Sequence, residues 1–595
     1  MEELSKSYRS HTCGELKATD KGKEVSLKGW VHKRRDLGNL TFIDLRDRYG
    51  ITQIVFDPNI NKELHENAKA LRGEFVIGVV GEVNERPKEM QNSNMATGEI
   101  EVRAKSLEIL NKSQVPPFPI EDEINANEAT RLKYRYLDLR RPCIQKSMVA
   151  RHRITSSIRE YMNGEGFLDI ETPFLTKSTP EGARDYVVPS RIEAGNFYAL
   201  PQSPQLFKQI LMISGFDKYY QVVRCFRDED LRHDRQPEFT QLDAEMSFPS
   251  QELIFKLMEG LFKKVMFDLH KIEVKTPFRR FTYREAIAKY GSDKPDIRFE
   301  LTIEDLTKIF EKSEFKIFQE CIKQNGNIKG LNLKGGGALS RKNLSDYETF
   351  AKESGAKGLI WIKLDEKGET SSPIAKYLSA NELTALKSLL HCENGDVIFI
   401  VSDFKDKTSK ILGDLRLKLA KDHKLIKDGL FSFCWVTDFP LFEYSENEKR
   451  LVSMHHPFTS PNYDDLKLLE NEPQNVRALA YDIVLNGYEM GGGSIRIHDS
   501  DLQRKIFNIL NLKDEDAKIK FGFLLEALKY GAPPHGGIAL GIDRICMVLS
   551  RAESLRDVIA FPKTQTAQCL MTNAPSSISE EQLNELSLTI KREKY

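Results

Sequence analysis

The sequence has no apolar run long enough to cross a bilayer, which excludes a membrane-spanning helix. Its eight cysteines include no closely spaced pair. Neither a zinc ribbon nor a disulfide framework is available, and the expected compartment is the reducing cytoplasm. The opening residues, MEELSKSYRS, lack the apolar centre of a secretion signal. Bulk charge of one sign is missing too, since 88 Lys and Arg balance 88 Asp and Glu. Any nucleic acid would have to meet local basic surface. Two stretches offer it: Lys33-Arg34-Arg35, and the group Arg131, Lys133, Arg135, Arg140 and Arg141. At 595 residues the chain exceeds one core, so several domains are expected.

From about Gly22 to Leu110 short apolar-alternating runs predict strands at Val25–Val31, Leu40–Leu45, Ile51–Phe56, Phe75–Val83 and Ile100–Ile109. A helix at Lys62–Leu71 lies between the third and fourth. Five strands with one interposed helix suggest an OB-fold barrel. Arg35, Phe42 and Gln53 would present a cation, an aromatic face and an amide on neighbouring strands. Splayed single-stranded bases need those groups, although Phe42 also reads as an ordinary core aromatic. Val115-Pro116-Pro117-Phe118-Pro119 is a stiff spacer. The basic segment 130–141 reads as helical, and helical spacing resumes from about Cys143 to Gly164. Between about 295 and 428 lies a separate α+β module. It has helical stretches at Thr302–Phe310 and Asn381–Leu390 and strands at Leu359–Ile362 and Val397–Val401. Gly335-Gly336-Gly337 lacks the Lys-Ser/Thr of a phosphate loop and reads as a turn. A short amphipathic helix is expected at Ser579–Ile590.

The chemistry gathers around residues 225–245. Phe226-Arg227-Asp228-Glu229 ends an apolar run, a charged loop follows, and Phe239 to Glu245 alternates like a second strand. Phe167-Leu168-Asp169-Ile170-Glu171-Thr172-Pro173 precedes it. Gly536-Gly537-Ile538-Ala539-Leu540-Gly541-Ile542-Asp543-Arg544 comes near the end. In that order the three stretches resemble motifs 1, 2 and 3 of class II aminoacyl-tRNA synthetases. Residues 179–185, 202–208 and 490–496 resemble aspartyl-tRNA synthetases, and the long insertion between motifs 2 and 3 resembles the bacterial type. The resemblance covers essentially the whole chain.

It implies an α+β multidomain protein: an OB-fold anticodon domain at 1–110, a hinge at 111–141 that touches tRNA, and an antiparallel-sheet catalytic domain at 142–294 and 429–560. The inserted α+β domain at 295–428 resembles one shared with a tRNA-dependent amidotransferase subunit, and an extension occupies 561–595. It further implies ATP and Mg2+, L-aspartate and tRNA(Asp) as substrates and partners, and a homodimer through motif 1, where Ile170 and Leu175 read equally as core residues. By family position Arg227 and Arg544 are catalytic. ATP falls to Arg227, Asp228, Glu229, Gln236, Glu489, Gly541, Ile542, Asp543 and Arg544. Aspartate falls to Glu181, Ser203, Gln205, Leu206, Phe207, Lys208, Arg227, Asp243, His455, His456 and Arg496. Asp482 and Glu489 would hold the metal, and Arg35, Leu37, Phe42 and Gln53 the anticodon. The implied first step needs no general base, because a carboxylate is already ionised. Positioning and charge neutralisation suffice, which suits arginines and acids without a triad. Lys208 and Arg496 would tell aspartate from asparagine by charge.

Three alternatives stand beside this. One is a sibling enzyme for asparagine or lysine. Another is a catalytically inactive RNA-binding relative. The third is a form that charges both tRNA(Asp) and tRNA(Asn). Against the last, Leu37 is apolar, whereas some relaxed relatives carry histidine in the similar loop.

Overall fold

The computed structural model describes residues 9–179 and 183–591. The chain divides into two compact units. One comprises residues up to Val149 with Arg556–Ser576, the other Ala150–Leu555 with the residues from Ser577 onward.

In the first unit, apolar residues alternate along Glu24–Leu37 (β1), Leu40–Arg46 (β2), Ile51–Phe56 (β3), Val76–Glu85 (β4) and Ile100–Asn111 (β5). A period of two turns one face of each strand inward. The five close into a barrel in the order β1-β2-β3-β5-β4, around buried Leu27, Val31, Ile43, Leu45, Ile54 and Ile77. The helix Lys62–Lys69 sits between β3 and β4, and the Asn61 side chain caps it by accepting the Leu64 N–H. β1 runs on past Val31 because a bulge between Val31 and Lys33 lets the ladder continue to Leu37↔Leu40. The two-residue turn there has Gly38 at φ +60°, the glycine-first arrangement that suits a tight hairpin.

The basic segment after the proline spacer forms two short helices, Glu128–Lys133 and Arg135–Asp138. Its arginines do not make the open basic surface expected of them. Asp138 is fully buried and receives Arg131 Nε at 3.0 Å, Arg135 Nη1 at 2.5 Å and Arg141 Nη1 at 2.8 Å. Arg135 also donates to the carbonyls of Ile559 and Ala560, tying in the segment after Arg556. One buried carboxylate has drawn the arginines inward, because a buried charge needs partners.

The second unit is built on an eight-stranded sheet. Its order is Arg279–Thr282, Phe433–Thr437, Ala480–Leu485, Tyr488–Ile495, His535–Gly541, Glu238–Ser247, Lys218–Phe226 and Leu168–Asp169. Only the outermost pair at each edge is parallel. This is an antiparallel sheet of an α+β fold, not a doubly wound nucleotide fold. Between its halves in sequence, residues 295–428 form a five-stranded sheet in the order Glu304–Asp305, Asn327–Leu333, Val397–Asp403, Ile360–Leu364, Thr370–Ser371, with an apolar cluster on each face. Thr302–Phe310 is not the expected helix. Glu304 and Asp305 pair as an edge strand with Gly330 and Lys329, and turns then drop Leu306 and Phe310 into a core. The apolar spacing was real, but strand pairing satisfied the backbone first. Gly335 and its neighbours form a turn, as read, with Gly337 packed on Gly395. The terminal helix is Glu580–Glu585.

Asp138→Ala removes the anion shared by three arginines. Breaking a buried pair on one side costs roughly 3–5 kcal/mol. Denaturant unfolding of the full chain should show that loss, and an unchanged transition would mean the arginines find other partners.

Candidate active site

The sheet of the second unit opens on a cavity of about 560 Å³. Strand geometry explains most of its lining. On Glu238–Ser247, Gln241, Asp243 and Glu245 share one face because side chains alternate. On the helix Gln205–Ile213, Gln205 and Lys208 share a face by the three-residue spacing. Ser203, Gln205, Lys208, Gln241, Asp243 and Arg496 all line the cavity.

Lys208, Asp243 and Arg496 also form a buried charge quartet with Glu245. Glu245 accepts Arg496 Nε at 3.0 Å and Nη2 at 3.1 Å, a two-pronged pair. Lys208 Nζ lies 3.3 Å from Glu245 Oε2 and 3.0 Å from Asp243 Oδ1. Burial opposes the Glu245 charge, but Arg496 and Lys208 outweigh it and hold its carboxyl below the ordinary range. Burial pushes the Asp243 carboxyl up, against the pull of Lys208. Arg496 Nη1 donates to Ser494 Oγ at 2.7 Å and to His456 Nε2 at 2.5 Å. Burial and the Arg496 charge keep His456 neutral, its pKa well below the usual histidine range. The cation pair thus faces the cavity already oriented.

Glycines make room for these acids. A Cβ on Gly537 would fall 2.1 Å from Glu245 Oε2, and one on Gly492 2.2 Å from Asp482 Oδ1. At Gly537 the Ala244 carbonyl, 2.0 Å from such a Cβ, closes the site to any side chain, while at Gly492 a side chain would displace the Asp482 carboxylate.

At the other end, Arg227, Glu229, Gln236, Asp482, Glu489, Gly541, Asp543 and Arg544 line the wall. Arg544 Nη1 donates to the Glu489 carbonyl at 2.7 Å, and its Nη2 lies 3.6 Å from Asp234 Oδ2. Arg227 lies over the Phe239 ring at 5.2 Å, and its Nε is buried without a hydrogen-bond partner; so is Gln205 Nε2. Buried donors left open on a cavity wall call for acceptor oxygens on a ligand. Burial raises the Glu489 carboxyl, and neighbouring Asp482 raises it further. His455 Nε2 sits 3.6 Å from Asp482 Oδ1. Burial lowers the His455 pKa, but Asp482 reverses this and leaves it raised. Among the described residues no three acidic, histidine or cysteine groups form a closed metal cage. Two crowded carboxylates with oxygen donors still suit magnesium, which keeps waters and phosphate oxygens as its other ligands.

Several expected contacts do not face this cavity. Leu206 and Phe207 occupy the far side of their helix. Leu206 packs with Phe458 and Phe507, and Phe207 against Phe523. Only the Gln205 and Lys208 face can reach a ligand, because successive helix positions diverge. Asp228 turns to Arg184, bridging its backbone and lying 3.6 Å from its Nε. Ile542 is fully buried at the start of its helix. Asp543 lines the wall but acts as a brace, accepting from Arg151 and from the Thr240 N–H at 2.6 Å. Glu181 lies outside the described residues. Glu245 was missed as a site residue; its place two residues beyond Asp243 in an alternating strand was the available signal.

In the first unit, strand register sets Arg35 opposite Phe42, Leu37 opposite Leu40 and Asp44 opposite Gln53. All four expected anticodon residues therefore share the outer barrel face. Arg35 pairs with Asp44 at 2.7 Å and reaches Gln53 Oε1 at 3.3 Å, and Leu37 is exposed at the hairpin tip.

A family model described as tRNA synthetases class II (D, K and N) matches residues 127–565, and one described as OB-fold nucleic acid binding domain matches residues 25–110. The chain therefore belongs to the class II tRNA synthetases. The aspartate–tRNA(Asp/Asn) ligase of Caldanaerobacter subterraneus subsp. tengcongensis is 54% identical over 589 residues, 99% of each chain. The aspartate–tRNA ligase of Staphylococcus haemolyticus is 53% identical over 587 residues, 98% of this chain and 100% of its own. Within its class the chain groups with the bacterial-type aspartyl-tRNA synthetases. The asparaginyl-tRNA synthetase from Pyrococcus horikoshii complexed with asparaginyl-adenylate matches in fold alone. Its TM-score is 0.58 at 20% identity, covering 93% of this chain and 98% of its own.

His535 is a second buried neutral histidine, its pKa lowered chiefly by burial. Nδ1 faces the Pro533 carbonyl at 2.7 Å and Nε2 the Gln209 side-chain amide at 3.2 Å. A depressed folded pKa means the unfolded chain takes up the proton first. Its contribution is therefore complete above about pH 6.5 and is lost as pH falls below that value. The stability difference between wild type and His535→Gln should shrink from pH 7 to 5.5 in thermal melts. A constant difference would remove this histidine from the pH dependence.

Proposed function

We propose that this protein activates L-aspartate with ATP and transfers the aspartyl group to the 3′ end of tRNA(Asp) in the cytoplasm. The observation that carries the reading is the buried Lys208–Arg496 pair, fixed by Asp243 and Glu245 at one end of a cavity whose other end holds Arg227 and Arg544. The pair suits a substrate side-chain carboxylate. Such a carboxylate competes with neutral His456 for Arg496 Nη1, whereas the NH2 of asparagine would set donor against donor. Ser203 and Gln205 serve the rest of the amino acid, and Glu181 its ammonium group.

The α-carboxylate of aspartate attacks the α-phosphorus of ATP; the bond to the bridging oxygen breaks and pyrophosphate leaves. Arg227 receives the α-phosphate charge from its place over Phe239, and Arg544 receives the γ-phosphate. Glu229 and Gln236 flank the nucleotide, and Gly541 lets the backbone approach it, since a Cβ there would meet no protein atom within 3.8 Å. Magnesium held by Asp482 and Glu489 supplies charge neutralisation on the phosphates when bound. The adenylate then yields its aspartyl group to the ribose hydroxyl of the tRNA end, releasing AMP.

The outer barrel face, with Arg35, Phe42, Gln53 and Leu37, receives the anticodon. The two curated relatives described above differ in name on the acceptor, tRNA(Asp/Asn) against tRNA alone. The tRNA(Asp)-only assignment rests on Leu37, which offers no hydrogen bond to the one anticodon base that separates the two acceptors. Two copies pair through exposed Leu168, Phe174 and Leu175 near the outermost strand of the catalytic sheet.

Arg496→Ala should abolish aspartate-dependent pyrophosphate exchange, since stranding one side of a buried pair costs roughly 3–5 kcal/mol. Arg544→Ala should instead raise the KM for ATP and leave amino-acid preference alone. Near-normal exchange in the first variant, or altered preference in the second, would reverse those roles.

Aminoacylation of tRNA(Asp) and tRNA(Asn) transcripts tests the acceptor. Wild type should charge the first far better, and Leu37→His should narrow the gap. Equal charging by wild type identifies the dual-acceptor enzyme.

A further inference from the structure

A strap of five residues joins the catalytic sheet's surroundings to the inserted module. Ser292-Asp293-Lys294-Pro295-Asp296 leaves the helix Tyr283–Tyr290 and leads into residues 297–301. Asp293 lines the active cavity. Ser292 Oγ accepts the Lys294 N–H at 3.1 Å and so fixes the bend that carries Asp293. Asp296 packs on the Asn486-Gly487 turn, where a Cβ on Gly487 would lie 3.1 Å from the Asp296 Cβ. That turn joins the two strands bearing Asp482 and Glu489.

One helix of the inserted module, Lys405–Asp422, clamps the strap on both sides. Before the strap, Gly291 meets Gly413 so closely that a Cβ on Gly291 would lie 2.1 Å from the Ser409 carbonyl. After the strap, Arg416 donates to the carbonyls of Asp296 at 2.7 Å and Phe299 at 3.2 Å, and to that of Leu301. Arg416 is 1% exposed, and its guanidinium lies 3.9 Å from the Phe299 ring centre and 5.0 Å from that of Tyr290. A buried cation that donates to three backbone carbonyls is a device for fixing a chain path.

We propose that the inserted module acts on catalysis as a brace: Arg416 is a positioning residue that holds the 292–296 strap, so that Asp293 serves magnesium-bound ATP beside Glu489. This rests on the assignment of ATP to the Arg544–Glu489 end of the cavity. Asp293 would add a carboxylate for the waters of the ion, and the brace would set how firmly it is presented.

The test compares Asp293→Ala, Arg416→Lys and their double variant in the full-length protein. Each single variant should raise the KM for ATP in pyrophosphate exchange about five- to tenfold and leave the KM for aspartate unchanged. The double should be no worse than the worse single, since both act through one strap. Equilibrium binding of ATP, titrated at several magnesium concentrations, should weaken most at low magnesium. Unchanged ATP affinity, additive effects, or equal rises in both KM values would overturn the brace. Should Arg416→Lys not fold, Gly413→Ala replaces it, with the same readings, because its added Cβ would press the Tyr290 carbonyl at 2.8 Å. Arg544→Ala separates the failures. If it too leaves ATP binding unchanged, the ATP assignment itself is wrong; if it weakens ATP binding while the strap variants do not, only the brace is.

Discussion

The second unit depends on a carboxylate that cannot be left alone. Glu245 is fully buried in the middle of an eight-stranded sheet. Its charge is tolerable only because Arg496 grips both oxygens and Lys208 adds a second cation. The same requirement fixes the other partners. Asp243 takes the second side of Lys208, Ser494 and His456 take Arg496 Nη1, and Gly537 leaves the space that Glu245 fills. The cost of burying these charges is met by one another, while Lys208 and Arg496 also line the cavity. Side chains held this way by mutual charge pairs are pre-oriented where they line the cavity.

The segment at 128–141 repeats the logic with the same sign. There a buried acid, Asp138, organises three arginines. In the inserted module Arg416 organises backbone carbonyls instead. Burial pulls the Arg416 pKa down to about 10, still high enough to keep the cation at neutral pH. In all three places a single ionised group, removed from water, dictates the path of distant chain segments.

Much of this was legible in the residues. The barrel strands followed from alternation, and the long helix Pro142–Gly164 from its spacing. The cavity brings together Arg227, Lys208, Asp243, Arg496, Asp482, Glu489 and Arg544 from six separate stretches. Those were found through motif resemblance, since no local pattern connects residues so far apart. Resemblance by block overreached at Leu206, Phe207, Asp228 and Ile542. A motif includes each neighbour, while a helix or strand turns only some of them toward the ligand. The basic run at 131–141 misled for a related reason, because sequence shows a charge but not the buried acid that claims it.

The sequence by itself determined the barrel and the class of fold, because periodicity is a local property, and its motifs marked the residues that line the cavity. Only the tertiary structure decided which of those groups face one another. It made Glu245 the anchor of Arg496 and Lys208, gave Asp138 its three arginines, and brought Asp293 to the cavity on a strap held by Arg416. Each of these is a long-range pairing of a buried charge or carbonyl. Its partner is chosen by where the whole chain leaves no water to solvate it.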